Sequence, residues 1–315
     1  MEEQYPKSMA EFEEQFGSED QCWQYLFKLR WPDGFLCPRC GGNRHWRTQS
    51  NRLVCRQCEY QASVTAGTIF QDTHKPLRTW FRAMWWVTSQ KNGASALGLQ
   101  RVLGLGSYLT AWAWLHKLRR AMVRPGRDRL HGLVQVDETH WGAREEGHKG
   151  RTLGNKALIL VAVERDGHKL GRIRMRRAPD ASAHSLHGFI ADSVEPGSVV
   201  QTDGFRGYQG LSDKGYVHQP GKQGRLDIPG AEEDLLPDVH RVISLVKRWL
   251  LGTHQGAISS HHLDYYLDEF TFRFNRRASH YRGKLFYRLV QQAAQVDPAP
   301  YQSLVRHVRG RKPKP

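Results

Sequence analysis

The chain has 315 residues, enough for one large domain or about two or three ordinary ones. Hydrophobic residues make up 39% and charged residues 25% of it, a composition that excludes a disordered or fibrous protein. Lys and Arg number 47 against 31 Asp and Glu, so the net charge is +16 and a polyanion is the first partner to consider. No apolar run approaches the roughly 18–20 residues of a membrane span, and the first residues do not read as a signal peptide. We therefore expect a soluble, cytoplasmic protein with no membrane partner.

The charge is unevenly distributed along the chain. Residues 1–20 form an acidic leader with seven acidic residues and one Lys. Residues 76–130 carry ten Lys or Arg against the single acid Asp128, and residues 301–315 carry five basic residues and no acid. Each block taken alone is typical of solvated surface. Basic regions separated by structured sequence favour a long polyanion over a small anionic metabolite.

Four of the five Cys residues form two CxxC pairs, Cys37 with Cys40 and Cys55 with Cys58, separated by fourteen residues. Two such pairs on tight turns can supply four thiolates to one tetrahedral zinc ion. The alternative is that the four cysteines form two disulfides, but nothing in the sequence indicates export to an oxidising compartment. A redox-active CxxC motif would not require a second copy of itself. We therefore predict a ribbon whose Zn²⁺ is structural, because four protein ligands leave no open position for catalysis. Cys22, in an apolar run, is predicted to be a buried small hydrophobe.

Residues 73–130 are predicted to form a compact helical segment. Apolar residues recur at helical spacing over 77–87, and two further helices over 94–102 and 108–122 are joined by a Gly-containing turn. This pattern fits a helix-turn-helix, although the sequence of any small helical bundle with a basic surface would show the same pattern. The candidate DNA contacts are the basic residues of the last helix: Lys117, Arg119 and Arg120.

After residue 130 the pattern changes to that of a mixed α/β domain. Strands are predicted at 133–137, 157–163, 172–177 and 198–203, and helices at 181–191, 239–250 and 261–275. In the third strand basic and apolar residues alternate, which places Arg172, Arg174 and Arg176 on one face. Three strands, a helix, a further strand and then helices are what a ribonuclease-H-like mixed sheet flanked by helices requires.

Asp137 and Asp203 each end an apolar strand, where a charge is costly unless it is paired or bound to metal. A single Asp at such a place often only caps a turn. Two of them on strands that can lie side by side suggest shared binding of divalent cations, Mg²⁺ or Mn²⁺, through oxygen. Such cations can assist an in-line phosphoryl transfer.

The order of these motifs resembles the zinc-ribbon DDE transposases of the ISXO2-like (IS1595) family of bacterial insertion sequences. The resemblance covers about residues 10–290, and the ordered series is far more specific than any one piece. It rests on 29–35, the two CxxC pairs, 63–70, 76–81, 108–112, 115–119, 136–139, 202–205, 239–244, 247–249 and 266–277.

The resemblance implies that the ribbon and helix-turn-helix recognise terminal inverted repeats, and that Asp137 and Asp203 are the first two catalytic residues. The third position falls at His240, where the broader DDE class carries Glu. His240 could reach the metal, orient a water, contact DNA or play a capping or surface role, and Asp234 or Asp238 could supply a carboxylate instead. The resemblance also implies that Lys247, two helical turns after His240, contacts substrate phosphate.

We therefore expect an acidic leader (1–20), a zinc ribbon (21–72), a helix-turn-helix segment (73–130), a ribonuclease-H-like catalytic domain (131–290) and a basic tail (291–315). The enzyme would hydrolyse a phosphodiester at the transposon end and then join the 3′-hydroxyl to target DNA. Its partners would be double-stranded DNA, both transposon ends and target, and a second copy of itself in a homodimer or higher oligomer at the bacterial nucleoid.

Two other classes of protein fit parts of the sequence. A sequence-specific DNA-binding regulator or inactive derivative needs neither Asp, and His240 is the feature that favours it. A ribonuclease-H-like nuclease or resolvase would use the same fold and metals but would only hydrolyse DNA.

Overall fold

The computed structural model describes residues 3–124, 126–142, 156–221, 235–256 and 258–305. Its helices and strands, in chain order, are α1 (Met9–Gln15), α2 (Glu19–Arg30), β1 (His45–Arg47), β2 (Arg52–Cys55), β3 (Gln61–Ser63), α3 (Leu77–Ser89), α4 (Ala96–Leu103), α5 (Tyr108–Ala121), β4 (Leu133–Trp141), β5 (Ala157–Asp166), β6 (Lys169–Ala178), α6 (Ala183–Ser193), β7 (Val199–Thr202), β8 (Val217–Pro220), α7 (Pro237–His254), α8 (Leu263–Phe274), α9 (Gly283–Ala293) and α10 (Tyr301–Val305). The chain folds into two compact units, one made of Met1–Pro125 with Ala278–Pro315 and the other of Gly126–Arg277. None of the helices in these described ranges is long and apolar enough to cross a membrane.

The first unit contains a small antiparallel sheet, in the order β1-β2-β3, and a group of helices. Helices α3, α4 and α5 confirm the three helices predicted from the apolar spacing. Gly104 ends α4 in the left-handed conformation, with φ of 60°. Ser107 then caps α5, because its Oγ accepts the Leu109 N–H at 3.2 Å.

Helix α9 belongs to this first unit, although the boundaries expected from sequence placed it mostly in the catalytic domain. Its Phe286 ring lies 5.4 Å from that of Phe16, 5.5 Å from Phe12 and 5.8 Å from Trp85. A Cβ on Gly283 would overlap the carbonyl oxygen of Pro6. The second unit therefore ends at Arg277 rather than at residue 290, because the aromatic core of the first unit includes α9.

The second unit is built on a five-stranded mixed sheet with the order β6-β5-β4-β7-β8. Strand β5 is antiparallel to β4 and β6, whereas β7 is parallel to both β4 and β8. Alternate residues of β5 enter different cores: Ile159 and Val161 pack with α7 and α8, and Leu158 and Leu160 pack with α6. This order and these directions are those of a ribonuclease-H-like sheet, so the predicted fold class, mixed α/β, is confirmed. Strand β8 was not predicted, since its four residues are mostly exposed and lack apolar alternation.

The arginines of β6 are engaged within the second unit. Arg172 donates to Glu164 at 2.7 Å, and Arg176 donates to Asp192 at 2.6 Å. Arg174 is only 5% exposed and donates to the carbonyl oxygens of Ile173 and Asp128. Burial lowers the pKa of Arg174 to about 10. The predicted alternation is thus correct, but these cations stabilise the sheet and its surroundings.

The outer edge of β6 is covered by side chains. Asn275 pairs with Ile173 as a neighbouring strand would: its Oδ1 accepts the Ile173 N–H at 2.7 Å and its Nδ2 donates to the Ile173 carbonyl at 3.1 Å. Asp264 Oδ1 accepts the Arg177 N–H at 3.1 Å. These contacts occupy groups that an exposed edge strand would offer to another chain.

Replacing Phe286 should destabilise the first unit strongly. Phe286→Ala leaves a cavity among several aromatic rings, and such a change typically costs about 3–5 kcal/mol. Denaturant unfolding followed by tryptophan fluorescence measures this loss. Lys284→Ala, at an exposed position of the same helix, is the control and should cost less than about 0.5 kcal/mol. Equal effects of the two changes would show that α9 is not part of this core.

Candidate active site and metal clusters

The four predicted zinc ligands converge at one point of the ribbon. The Sγ atoms of Cys37, Cys40, Cys55 and Cys58 all lie within 4.8 Å of one another. The Cys37–Cys58 and Cys40–Cys55 sulfur separations are both 3.6 Å, and none of the four is in a disulfide. Tetrahedral Zn–S bonds of about 2.3 Å place sulfur atoms about 3.8 Å apart. The cluster therefore fits one tetrahedral zinc ion.

Backbone N–H groups favour the thiolate form of two of the clustered cysteines, Cys37 and Cys55. The Gln57 N–H donates to Cys55 Sγ at 3.4 Å and lowers the pKa of Cys55. Burial raises the pKa of Cys37, but the backbone N–H groups of Cys40 and Arg39, together with hydrogen bonds to neighbouring sulfurs of the cluster, bring that pKa to about 7. Thiolates are the form that binds zinc. Cys22 differs, because burial raises its pKa to about 12 and it lies outside the cluster, as expected of a buried hydrophobe.

Asp203 directly follows β7, whereas Asp137 lies in the middle of β4, which continues to Trp141 and so does not end at Asp137 as the sequence predicted. Strands β4 and β7 run parallel, and their register pairs Leu133 with Val199 and Gln135 with Gln201. Each Asp lies two residues beyond the last of these pairs. The parallel pairing therefore brings the two carboxylates together, and an oxygen of one lies within 4.8 Å of an oxygen of the other.

A tight turn after β7 holds Asp203 in place. Asp203 Oδ1 accepts the Phe205 N–H at 2.9 Å. The residue between them, Gly204, has φ of 78°, and a Cβ there would lie 2.7 Å from the Gly221 carbonyl oxygen. The turn thus requires glycine for both its backbone conformation and its close packing.

Glu138 is a third member of the carboxylate cluster and was not predicted. Successive strand residues normally point to opposite faces, so alternation argues against a pair at Asp137 and Glu138. In the structure, one oxygen from each of Asp137, Glu138 and Asp203 lies within 4.8 Å of the others. The hydroxyl of Tyr208, a fully buried residue, donates to Glu138 Oε2 at 2.7 Å. The sequence signal for Glu138 is its place directly after Asp137 in the family-like motif at 136–139.

The crowding of these carboxylates changes the protonation of Asp137. Burial is the largest cause that raises its pKa to about 6, and the charges of Glu138 and Asp203 act in the same direction. The electrostatic interaction with His240 acts against them. At neutral pH the cluster therefore holds repelling charges in a partly buried place, which a cation would relieve. Three carboxylates are hard oxygen donors, so the cluster fits a hard divalent cation.

His240 approaches the cluster from α7. Its Nε2 lies 3.3 Å from Asp137 Oδ2, and its side chain is 49% exposed. It lies beside the three-carboxylate group and is not a member of it. Asp238 is also outside the group and faces Arg165, with 3.5 Å between Oδ2 and Nε. Asp234, the other carboxylate considered, falls outside the described residues.

The N-terminus of α7 is attached to β4 by Gln135. Gln135 is 1% exposed, and its Oε1 accepts the N–H groups of Asp238 at 3.0 Å and Val239 at 3.2 Å. Lys247 lies on the same helix, seven residues after His240, and is half-buried. The Gln135 contact could not be predicted from the sequence, because the bonded residues are 103 and 104 positions apart.

The basic residues predicted on α5 differ in exposure. Lys117 and Arg120 are half-buried, and burial lowers the pKa of Lys117. Arg119 is 2% exposed, so the prediction that it contacts DNA does not fit its place in the structure. The physical reason is that Arg119 lies one turn from the buried Leu115 and Met122, on the core side of the helix. The basic tail beyond residue 305 lies outside the described residues.

Comparison with known protein families finds two matches on this chain. The ISXO2-like transposase domain matches residues 129–275, and the transposase zinc-ribbon domain matches residues 17–61. Together they cover more than half of the chain and include all three carboxylates and all four clustered cysteines.

Among known proteins, an uncharacterized protein in transposable element ISH50 of Halobacterium salinarum is 28% identical over 283 residues, covering 82% of this chain and 91% of that protein. The crystal structure of the catalytic core domain of BIV integrase matches with 17% identity and a TM-score of 0.32, covering 48% of this chain and 88% of that one. This TM-score is too low to support an argument. The two family matches, however, describe successive parts of one kind of enzyme that acts on DNA. The chain belongs to the ISXO2-like (IS1595) family of zinc-ribbon DDE transposases.

Proposed function

We propose that this transposase binds the terminal inverted repeats of an insertion sequence, cleaves the DNA at its ends and joins the freed 3′-hydroxyl to target DNA. The observation that carries the proposal is the convergence of Asp137, Glu138 and Asp203 just beyond the paired residues of the parallel strands β4 and β7. Grouping three carboxylates in a partly buried place costs stability. Their convergence therefore favours a catalytic role over a structural one.

Asp137, Glu138 and Asp203 are the residues that would hold the metal, Mg²⁺ or Mn²⁺, since both ions take oxygen ligands. When bound, such ions activate an attacking oxygen and stabilise the leaving oxygen of an in-line phosphoryl transfer. Tyr208 orients Glu138 through its 2.7 Å hydrogen bond. His240 contacts Asp137 from α7 and restrains it. About half of the His240 side chain is exposed and available to substrate.

The reaction consists of two successive phosphoryl transfers, and each breaks one P–O bond and forms another. In the first, water attacks the phosphodiester at the transposon end and releases a 3′-hydroxyl. In the second, that hydroxyl attacks a phosphodiester of the target and displaces the neighbouring 3′-oxygen. Neither step requires a covalent intermediate with the enzyme, so the protein must mainly position DNA and stabilise charge.

On the second unit, one face of α7 is suited to the DNA backbone. Arg241 and Arg248 are exposed, and Lys247 is half-buried. Lys247 lies two turns from His240 on the same side of the helix. Cations along this face would contact phosphates on either side of the bond that reacts.

On the first unit, the start of α5 is suited to reading the inverted repeat. Tyr108 and Leu109 are 50% and 57% exposed at its first turn. The N-terminal residues of a recognition helix are those that contact base edges in helix-turn-helix proteins. Lys117 and Arg120 would then contact phosphates. Arg119 would only stabilise the unit, because its side chain is buried.

Cutting and joining two ends in concert requires at least two active sites. We therefore propose a homodimer or higher oligomer, assembled on double-stranded DNA that includes both transposon ends and the target. The place of action would be the nucleoid in the bacterial cytoplasm.

The chain should contain one zinc ion, held by the cysteine cluster. Cys40→Ser removes one of four ligands and should release the ion, because structural zinc sites in small ribbons need their full ligand set. Zinc per chain is measured by elemental analysis after dialysis. Cys22→Ala is the control and should keep one zinc per chain. Full zinc content in the Cys40 variant would contradict the assignment of the ligands.

Tyr208→Phe should weaken Mn²⁺ binding by about 10–100-fold, the range expected when a residue that orients a metal ligand is lost. Isothermal titration of the full chain with Mn²⁺ measures the affinity without any reaction. Tyr216→Phe is a matched control, because Tyr216 packs in the same core but its hydroxyl donates to the Val194 carbonyl at 3.3 Å. Equal Mn²⁺ affinity in both variants would remove Glu138 and Tyr208 from the proposed metal site.

Asp137→Ala should abolish strand joining and leave binding of the transposon end nearly unchanged. The rate of joining should fall by more than roughly 100-fold. A fall of about 100-fold is the most that replacing a residue outside the ligand shell usually causes. Removing a buried, repelling carboxylate should not unfold the unit. A labelled, pre-cut transposon end with plasmid target and Mg²⁺ measures joining, and gel shift measures binding.

Asp213→Ala changes an exposed carboxylate of the same unit and should join DNA like the wild type. Joining that persists in the Asp137 variant would exclude Asp137 from the mechanism. A wild-type protein that cuts without joining would be a nuclease or resolvase. One that only binds the ends would be a regulator or an inactive derivative, the alternative that His240 favours.

A further inference from the structure

Helix α7 begins at a residue whose side chain does not cap it. Its N-cap residue, Leu236, makes no side-chain hydrogen bond to the first turn. The first N–H groups of any helix lack partners within the helix and need another acceptor. In α7 that acceptor is Gln135 Oε1, which receives the Asp238 and Val239 N–H groups at 3.0 and 3.2 Å. The cap therefore comes from strand β4, more than a hundred residues earlier in the chain.

The amide of Gln135 is oriented by its neighbours in the sheet. Gln135 Nε2 donates to Gln201 Oε1 at 3.3 Å, and Gln201 Nε2 donates to Gln219 Oε1 at 3.2 Å. These bonds form a glutamine ladder across β4, β7 and β8. With its NH₂ group committed to the ladder, Gln135 presents its oxygen to α7.

The position of Gln135 relates this cap to the carboxylate cluster. Gln135 and Asp137 are two residues apart in β4, so their side chains leave the same face of the sheet. Asp137 contacts His240, the fourth residue of α7, at 3.3 Å. One strand thus contacts the helix twice on one face, first through the cap and then through the His240–Asp137 pair.

We propose that Gln135 is a positioning residue of the active site: by capping α7 it sets where the helix begins relative to β4, and so aligns His240 and Lys247 with the carboxylates. This inference rests on the proposed function for its effect on joining. Loss of the cap leaves two N–H groups without their acceptor at a largely buried site, which favours local opening of the first turn. His240 would then lose its fixed distance to Asp137.

The test compares Gln135→Met, which keeps the length of the side chain but removes the acceptor, with Gln135→Glu, which keeps an acceptor oxygen. Amide hydrogen exchange of the full chain reports on the Asp238 and Val239 N–H groups directly. We expect roughly tenfold or faster exchange in the Met variant and nearly wild-type protection in the Glu variant. A carboxylate is also favourable at a helix N-terminus.

Joining of a pre-cut end should follow the same pattern. The Met variant should show a kcat for joining reduced by roughly tenfold or more, with unchanged end binding, and the Glu variant should recover most of the activity. Gln219→Met is the matched control, because it removes the last bond of the ladder without touching Gln135 or α7. Its exchange and joining should equal those of the wild type.

Three results would overturn the inference: wild-type joining by the Met variant, unchanged exchange at Asp238 and Val239 in that variant, or equal losses in the Met and Glu variants. A wild-type protein that does not join DNA would instead reject the proposed function. The exchange measurement would still decide whether Gln135 caps α7, so the two failures are distinguishable.

Discussion

The parallel pairing of β4 with β7 is the interaction on which the active site depends. It sets Asp137 beside Asp203, and a shift of one residue in either strand would turn one of them to the other face. The arrangement is costly, because burial and neighbouring charge raise the pKa of Asp137 to about 6. The surrounding structure offsets part of this cost through the Tyr208 hydroxyl, His240 and the Phe205 N–H. The second unit thus gives up some stability to keep three acidic side chains in one place.

The order of the units along the chain is a second constraint. The ribonuclease-H-like unit occupies Gly126–Arg277, and the first unit is completed only by the segment after it. Phe286 of α9 contacts the aromatic rings of Phe12, Phe16, Phe81 and Trp85. The first unit therefore cannot form its full core until the catalytic unit has been synthesised. This coupling follows from packing and leaves no trace in any local motif.

Much of this molecule could be predicted from sequence, where the signal is local. The two CxxC pairs, the helical spacing over 77–122 and the apolar strands that carry Asp137 and precede Asp203 all appear in the structure, although the first of these strands continues past Asp137 to Trp141. Contacts that depend on tertiary structure could not be predicted in this way. Strand alternation argued against Glu138, the Gln135 cap joins residues more than a hundred positions apart, and β8 is too short and polar to recognise. Arg119 is different, since the apolar residues one turn away on α5 already indicated that it is buried.

In the proposed mechanism, Asp137, Glu138 and Asp203 together hold the catalytic metal. Crystals of the full chain soaked in Mn²⁺ test it most directly, because anomalous scattering at the manganese edge locates the ion without reference to activity. We expect a strong anomalous peak within bonding distance of an oxygen from each of the three carboxylates, with Tyr208 still bonded to Glu138. A peak coordinated by Asp137 and Asp203 without Glu138, or no peak between these side chains, would contradict it.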